Sequence, residues 1–313
     1  EWGIEFEAVF MDTGWEHSSV YEYIDAVLEP RFGPIRRLKS AKYPGGMAQL
    51  VTERKTFPSR LMRFCTQELK IYPFQAYLKT LEDEPVNVVG IRHEESKARA
   101  NMPEWEHQKG LDCEVWRPLI KWTFEDVAEI HRRHNLAPAS LYFDGAERVG
   151  CWPCIFSRKS EIANVAKIDP QRIALIDDLE QGLSASARAR FDAGGDFADK
   201  TLSKAINRIA YESISREVSW AEWKKRASIP VAAVFVERHS RAAALITQEQ
   251  IDTEVGRMLK RTFFHGKSGQ SAMTIEEIVE WSNGRGQLSF DLPQTDFGCF
   301  RWGFCDTNKG GDS

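Results

Sequence analysis

The 313-residue chain lacks any long apolar run, any excess of basic residues and any dense set of cysteines. No window approaches the roughly eighteen uninterrupted apolar residues of a membrane-spanning helix, so the sequence predicts no membrane span. Lys and Arg total 42 against 46 for Asp and Glu, and the resulting net charge of −4 argues against a generally basic, nucleic-acid-coating surface. Hydrophobic residues make up 42% of the chain, which is enough for a packed core and argues against disorder.

The chain also opens without an initiator Met, a basic segment or an apolar signal segment. We therefore expect a cytoplasmic protein whose displayed N-terminus is trimmed. Without a secretory signal, the six cysteines are not expected to form a disulfide framework. Four of them form two close pairs, Cys151 with Cys154 and Cys299 with Cys305. Such pairing in a cytosolic protein predicts a metal site or redox chemistry.

Short apolar runs alternate with amphipathic segments in the first half of the chain. Strands are predicted at 4–11, 35–39, 86–91 and 114–118, and helices at 18–28, 68–81 and 123–134. Pro30 and the following Gly33-Pro34 pair are expected to end the first helix. Thr123 and Asp126 predict a capping box at the start of the third. Strands that alternate with helices indicate an α/β fold with a Rossmann-like parallel sheet.

The pattern changes after residue 165 and becomes mainly helical. Helices are predicted at 171–181, 199–213, 248–260 and 274–282, and residues 229–237 fit either a strand or another buried segment. We therefore expect two units, an α/β domain at 1–165 and a helical region at 166–313. The tail of the second unit has few periodic apolar positions, so we expect a metal site to order it.

Polar residues follow two of the predicted strands. Asp12, Thr13 and Gly14 come directly after the first strand, and Arg92 follows the strand at 86–91. Ligands of parallel α/β sheets bind beyond the carboxyl ends of the strands. We therefore expect Asp12, Thr13 and Arg92 to lie in one cleft.

The segment around Arg92 has the composition of an anion site. Gly90 lets a ligand approach the backbone closely. Arg92 and Arg99 supply fixed positive charge suited to phosphate or sulfate. The alternative is a solvated helix start in which Glu94 and Glu95 pair with these arginines, and the local sequence does not decide between the two.

The paired cysteines carry a sharper signal. Thiolates bind zinc or an iron–sulfur cluster, and two short-spaced pairs commonly form one tetrahedral site. We therefore expect Cys151, Cys154, Cys299 and Cys305 to hold one zinc ion or one cluster, and neighbouring aromatic residues favour the cluster. Cys65 is an alternative candidate for one of these four ligand positions. The alternative is that Cys151 and Cys154 are buried small hydrophobic residues, as free cysteines often are.

Five segments in this order resemble the phosphoadenosine phosphosulfate (PAPS) reductase-like family of adenine-nucleotide α-hydrolases. The segments lie at 9–17 (VFMDTGWEH), 64–71, 90–99, 114–127 and 148–154, within about half of the chain. The resemblance implies a Rossmann-like parallel sheet that binds ATP with Mg²⁺, or an adenylyl sulfate.

The resemblance also assigns roles to individual residues. It implies that Asp12, Thr13 and Gly14 belong to the nucleotide site, together with Gly90. It implies that Arg92 and Arg99 contact the anion, and it makes Asp12 and Arg92 the catalytic candidates.

Two features depart from the family pattern. The family's phosphate loop, of the type SGGKDS, normally precedes the strand before Asp12, and no displayed residue supplies it. We expect truncation rather than loss of the loop. The classical reductases end in a mobile Glu-Cys-Gly motif, which is replaced here by Phe304-Cys305-Asp306. The cysteine pairs look more like the ATP-pyrophosphatase branch that is associated with DNA phosphorothioation and includes phage-borne relatives.

Three functions are consistent with this resemblance. The principal hypothesis is an ATP pyrophosphatase that adenylates an acceptor for sulfur transfer, including transfer to nucleic acid. Its partners would be a cysteine desulfurase as sulfur donor and a nucleic-acid-modification complex. The second is a PAPS or adenosine 5′-phosphosulfate (APS) reductase with Cys305 as nucleophile. The third is a degenerate, non-catalytic nucleotide-binding adapter.

Overall fold

A computed structural model describes residues 5–59, 61–215, 241–263 and 273–284. Its first half combines short strands with helices. The strands are β1 (Ala8–Met11), β2 (Ile35–Leu38), β3 (Val86–Val88), β4 (Trp105–Gln108) and β5 (Cys113–Trp116). The helices are α1 (Ser18–Tyr23), α2 (Glu29–Phe32), α3 (Gly46–Arg54), α4 (Phe64–Thr66), α5 (Tyr72–Leu78), α6 (Lys97–Ala100) and α7 (Phe124–Arg133). The capping box predicted for α7 is present.

The second half of the described chain is helical, as predicted. Its helices are α8 (Lys159–Ile168), α9 (Pro170–Asp192), α10 (Asp196–Ser215), α11 (Gln248–Leu259) and α12 (Ile275–Gly284). The segment predicted at 229–237 lies outside the described residues. Among the helices of the described ranges, none has the length and apolar character that crossing a membrane requires.

The described strands form two small sheets. β1 pairs with β2 in parallel, with Ala8 opposite Ile35. β5 lies between β3, to which it is parallel, and β4, to which it is antiparallel. The predicted α/β class, with parallel strands flanked by helices, is confirmed. The antiparallel β4 was not predicted, and it makes the second sheet mixed.

The first helix runs through Pro30, so its predicted end at Leu28 was wrong, whereas the predicted stop at Gly33-Pro34 agrees with its end at Phe32. A π-helical turn, Ile24–Leu28, connects α1 to α2, and Pro30 lies in the first turn of α2. The N–H of Glu29 donates to the carbonyl oxygen of Ile24, five residues back. Proline is tolerated in the first turn of a helix because its missing N–H is not needed there. The helix therefore continues to Phe32, before the positive φ of Gly33.

One hydrophobic cluster joins the two halves of the described chain across the predicted boundary at residue 165, which lies inside α8. Trp15, Leu50 and Phe57 from the α/β half belong to the same buried cluster as Ile176 and Ile275 from the helical half. The helical half therefore packs directly against the loop that follows β1.

Glu180 connects three parts of the helical half. This α9 residue is buried, and its carboxylate accepts hydrogen bonds from the backbone N–H groups of Phe263 (2.6 Å) and Ile275 (2.9 Å). Burial raises the pKa of Glu180 to about 7, and the two N–H donors oppose that rise only in part. Phe263, which follows α11, and Ile275, which begins α12, are thus held by a carboxylate whose ionisation is energetically costly.

We expect the free energy of unfolding to fall as the pH rises through the range in which Glu180 ionises. The unfolded chain releases this proton near pH 4.5 and the folded chain near pH 7, so the folded state loses stability across that interval. The interval corresponds to at most about 3–4 kcal/mol. Urea unfolding from pH 4.5 to 8 should show a shallower fall for Glu180→Gln, and identical slopes for the two proteins would contradict the assignment.

Candidate functional site

Asp12 organises the loop that follows β1. It is 5% exposed, and its Oδ1 accepts hydrogen bonds from the N–H of Gly14 (2.9 Å) and the hydroxyl of Tyr21 (2.8 Å). Its Oδ2 forms an ion pair with Lys39, 3.1 Å away. Burial would raise the pKa of Asp12, but the donors from Gly14, Tyr21 and Lys39 outweigh it and hold the pKa below its usual value. Asp12 is therefore ionised at neutral pH, with partners on both oxygens.

Glu16 fixes the same loop from its other end. The hydroxyl of Thr13 donates to Oε1 of Glu16 (2.7 Å), and the N–H groups of Thr13 and Trp15 donate to Oε2 at 3.2 and 3.1 Å. The hydroxyl of Tyr21 lies 3.3 Å from the same Oε2 and can donate to it. Burial, followed by the hydrogen bond to Asp12 and the charges of Glu16 and Asp12, raises the pKa of Tyr21 well above its usual range. Tyr21 therefore remains a hydrogen-bond donor between two carboxylates.

The loop lies against the N-terminus of α3. The N–H of Met47 donates to the carbonyl oxygen of Thr13 (2.9 Å), and both Gly14 and Gly46 have positive φ. A Cβ on Gly46 would lie 2.2 Å from that oxygen, which no real contact allows. The absence of a side chain at Gly46 is thus what lets the helix approach this loop.

The segment that carries Cys151 docks on the same loop. Cys151 forms an antiparallel bridge with Glu16, and the N–H of Trp152 donates to the carbonyl oxygen of Trp15 (2.8 Å). The Sγ of Cys151 lies 3.9 Å from the Thr13 hydroxyl and 4.0 Å from a carboxylate oxygen of Glu16. The sequence placed these elements in separate motifs, and the structure places them side by side.

Cys65, at the start of the helix that includes α4, faces this cysteine segment. Cys65 and Cys151 pack against the same hydrophobic cluster, and burial, followed by the charges of Cys151 and Cys154, raises the pKa of the Cys65 thiol. Burial also raises the pKa of Cys151, against the opposing charge of Lys70. As free groups, Cys65 and Cys151 are therefore protonated thiols in a largely apolar setting.

Three thiols in one region suit a soft metal ion or an iron–sulfur cluster, and binding would deprotonate them. As they stand, no three Cys, His, Asp or Glu side chains of the described residues are arranged to hold a metal ion. The predicted ligands Cys299 and Cys305 lie outside the described residues. The thiols of Cys65, Cys151 and Cys154 are thus suitable as part of a ligand set. A fourth ligand and a closer approach of the three sulfur atoms would be needed to bind a metal ion.

Three arginines influence one another electrostatically, and two of them stand near cysteines in the sequence. Burial and then the charges of Arg148 and Arg63 lower the pKa of Arg99. Of the three, Arg99 pairs with a carboxylate of its own helical turn, Glu95. Arg63 precedes Cys65 by two residues and Arg148 precedes Cys151 by three. The arrangement concentrates positive charge around Arg99, which is the electrostatic character of a phosphate or sulfate site.

Arg92 is bound to carboxylates in this structure. Its guanidinium lies 3.1 Å from Glu94 and 3.9 Å from Glu95. Arg92 follows β3 in the second sheet, Asp12 follows β1 in the first, and neither hydrogen-bonds the other within the described residues. A Cβ on Gly90 would make only an ordinary contact with the side chain of Leu119, at 3.8 Å, and the role of Gly90 in a ligand site stays a prediction.

Comparison with known proteins identifies the family of the chain. Residues 2–157 match the family model described as the phosphoadenosine phosphosulfate reductase domain. An uncharacterized 37.8 kDa protein in the gpa 5′ region of Escherichia phage 186 is 34% identical over 231 residues, which are 58% of this chain and 68% of the phage protein. The chain belongs to the PAPS reductase-like family.

Other relatives match shorter stretches of the chain. An APS reductase of Deinococcus radiodurans is 36% identical over 29% of this chain and 34% of its own length. An APS reductase of Bacillus pumilus is 27% identical over 47% of this chain and 61% of its own length. A crystal structure of PAPS reductase from Candida auris, as a phosphate complex, has 18% identity and a TM-score of 0.37, covering 47% of this chain and 69% of that one. The chain thus spans about a third to two thirds of these reductases.

Several residues of this candidate site were not predicted as site residues. Glu16 and Tyr21 stand three and eight residues after Thr13. The position of Glu16 could have predicted that its carboxylate accepts hydrogen bonds from this loop. Arg63 and Arg148 flank cysteines in the motifs, but they were not singled out. Cys65 was named only as a replacement ligand, because no sequence spacing links it to Cys151.

Proposed function

We propose that this PAPS reductase-like protein is an adenine-nucleotide-binding enzyme of sulfur chemistry, of the ATP pyrophosphatase type that adenylates an acceptor for sulfur transfer. The loop after β1 would lie along the nucleotide, and the arginines beside the cysteines would hold its anionic arm. Adenylation converts an acceptor oxygen into a good leaving group, and a sulfur nucleophile then displaces AMP. A nucleic-acid acceptor and a cysteine desulfurase as donor remain part of this proposal.

One observation carries the proposal. The loop of Asp12 and Thr13 meets the thiol of Cys151, which lies 138 residues after Thr13, and Arg148, three residues before Cys151, is one of the cations that lower the pKa of Arg99. Fixed cations in such a region stabilise charge that develops on a phosphoryl or sulfuryl oxygen. Aligned, ionised groups of this kind are expected at a reaction site rather than in a purely structural core.

The three thiols give this region a second capacity. Cys65, Cys151 and Cys154, with one further ligand, would hold zinc or an iron–sulfur cluster. Such a group would place positive charge, and in the case of a cluster electron-transfer capacity, beside the sulfur-bearing arm of the substrate. The described residues themselves bind and orient the nucleotide.

A second candidate is a sulfonucleotide reductase, and a specific observation favours it. Two of the relatives are named as APS reductases, at 36% identity over 91 residues and 27% over 157 residues. In this case the arginines would hold the sulfate of APS or PAPS, and a thiol outside the described residues, such as Cys305, would attack sulfur.

The released product separates the candidates. The longest available form of the protein is incubated with ATP and Mg²⁺, and separately with APS or PAPS and a thiol reductant. Release of pyrophosphate supports the ATP pyrophosphatase, and release of sulfite supports the reductase. Tight nucleotide binding with neither product would favour the non-catalytic adapter and contradict both enzymatic proposals.

We expect Arg148→Ala to weaken the binding of AMP or APS by ~1.5–3 kcal/mol, the range for one charge-assisted hydrogen bond. Calorimetric titration measures the change. Arg132→Ala is the control, because Arg132 is an exposed α7 residue paired with Glu129. The same titration with Arg92→Ala tests the predicted anion contact, since unchanged affinity would assign Arg92 to its ion pairs. Equal affinities for wild type and Arg148→Ala would contradict the arginine assignment.

A further inference from the structure

A cavity of about 260 Å³ lies between the C-terminal end of α3 and the helices of the second half. Arg54 and Lys55 line it from α3 and the residue that follows, Arg190 lines it from α9, and Arg261 lines it from the segment after α11. Its remaining lining is apolar or hydroxyl-bearing, and includes Ser186 and Phe197. The described residues place four cations and no carboxylate on this wall.

Most of this charge is not neutralised by neighbours. Arg54 pairs with Glu68, which also lies 3.9 Å from Lys42. Across the described ranges, Lys55, Arg190 and Arg261 form no ion pair with a carboxylate. Three cations around one cavity repel each other, and they remain together only because the fold holds them there.

The two arginines without carboxylates are held in place by other contacts. The guanidinium of Arg190 lies over the ring of Phe197, 4.4 Å from its centroid. Arg261 donates from Nη1 to the carbonyl oxygen of Met258 (2.7 Å), and its backbone N–H donates to the hydroxyl of Ser184 (2.9 Å). Their remaining N–H donors have the planar geometry that matches a phosphate group. The cavity therefore has the charge and the preorganised donors of an anion site.

The volume of the cavity limits the class of ligand that it can bind. A water molecule occupies about 30 Å³ in the liquid, so the cavity has room for roughly nine, which is more than one orthophosphate needs. The four cations match an anion of several negative charges. A small compound with two or more linked phosphates fits both the volume and the charge.

The cavity is separate from the site described above. The loop of Thr13 contacts the N-terminal end of α3, whereas the cavity lies at its C-terminal end. Eight residue steps of α-helix span about 12 Å. One helix thus joins the two positions without making them one site.

We propose that this cavity is a second anion site, which takes a small oligophosphate, and that it is distinct from the nucleotide site. The inference does not depend on the proposed function. Inorganic pyrophosphate is the probe, titrated by calorimetry at constant ionic strength. The double variant Lys55→Gln/Arg190→Gln removes two cavity cations. Arg188→Gln is the matched control, because Arg188 is also on α9 but pairs with Asp192 at 3.0 Å and does not line the cavity.

We expect the double variant to lose one pyrophosphate site, with at least tenfold weaker binding, while Arg188→Gln binds like wild type. Thermal unfolding without pyrophosphate shows that the double variant is folded. Arg148→Gln distinguishes the two sites, because it should leave this binding step unchanged. The proposal is overturned if wild type does not bind pyrophosphate, if the control loses as much affinity, or if only Arg148→Gln removes the binding.

Discussion

Replacing Gly46 by Ala is expected to destabilise the protein by about 3 kcal/mol or more and to abolish nucleotide binding. Gly46 has a φ of +66°, and a Cβ there would lie 2.2 Å from the carbonyl oxygen of Thr13 and 3.0 Å from the Cα of Gly14. Both neighbours are backbone atoms, so no side-chain rotation relieves the clash. The loop after β1 must move away from α3, which breaks the hydrogen bond from Met47 to Thr13.

Gly194→Ala is the matched control for this prediction. Gly194 has a φ of +76° in the turn between α9 and α10, and a Cβ there would meet no atom within 4 Å. That variant bears only the cost of a left-handed alanine, about 1–2 kcal/mol. Chemical unfolding measures the difference between the two variants, and AMP titration measures binding. Equal destabilisation at the two positions would mean that the loop does not depend on close approach to α3.

The order of strands and helices could be predicted because it depends on local patterns of hydrophobic, polar and capping residues in the sequence. β1, β2, β3 and β5 lie within or beside predicted strands, and the capping residues of α7 are only three positions apart in sequence. β4 was missed because its sequence, WEHQ, has one aromatic residue among polar ones and is stabilised by its partner. Its Trp105 stacks on Trp116 of β5, at 5.2 Å between ring centroids. Such cross-strand contacts are invisible until the register is known.

The site could be predicted only in pieces for a related reason. Asp12, Thr13 and Gly14 were recognisable because a loop after a buried strand is a local feature. Their partners were not: Lys39 and Cys151 reach the same loop through the tertiary fold. The loop after β1 and the segment of Cys151 are therefore brought together by tertiary packing, and no sequence spacing links them. The same holds for Arg63, Arg99 and Arg148. Their proximity to one another arises from the fold and is not visible in any sequence motif.

Cys65→Ser is expected to reduce the metal or cluster content of the purified protein by more than tenfold. The reason is that Cys65 joins Cys151 and Cys154 in one region, although 86 residues separate Cys65 from Cys151 in the chain. Tetrahedral sites of this kind need four ligands, and loss of one thiolate from a set of three leaves too few to retain the metal. Metal analysis gives the stoichiometry, and a brown colour that fades in air distinguishes an iron–sulfur cluster from colourless zinc.

Cys113→Ser is the control that isolates this effect. Cys113 is buried in β5, and burial followed by the charges of Asp112 and Glu114 raises the pKa of its thiol, with no other cysteine contributing. It should keep the metal content of wild type. Cys299→Ser and Cys305→Ser identify the fourth ligand, because the variant that loses metal as Cys65→Ser does supplies it. If Cys65→Ser retains as much metal as Cys113→Ser, the three thiols are not a ligand set. Cys65, Cys151 and Cys154 would then be half-buried thiols that contribute only packing, and either proposed reaction would have to proceed without a bound group at this position.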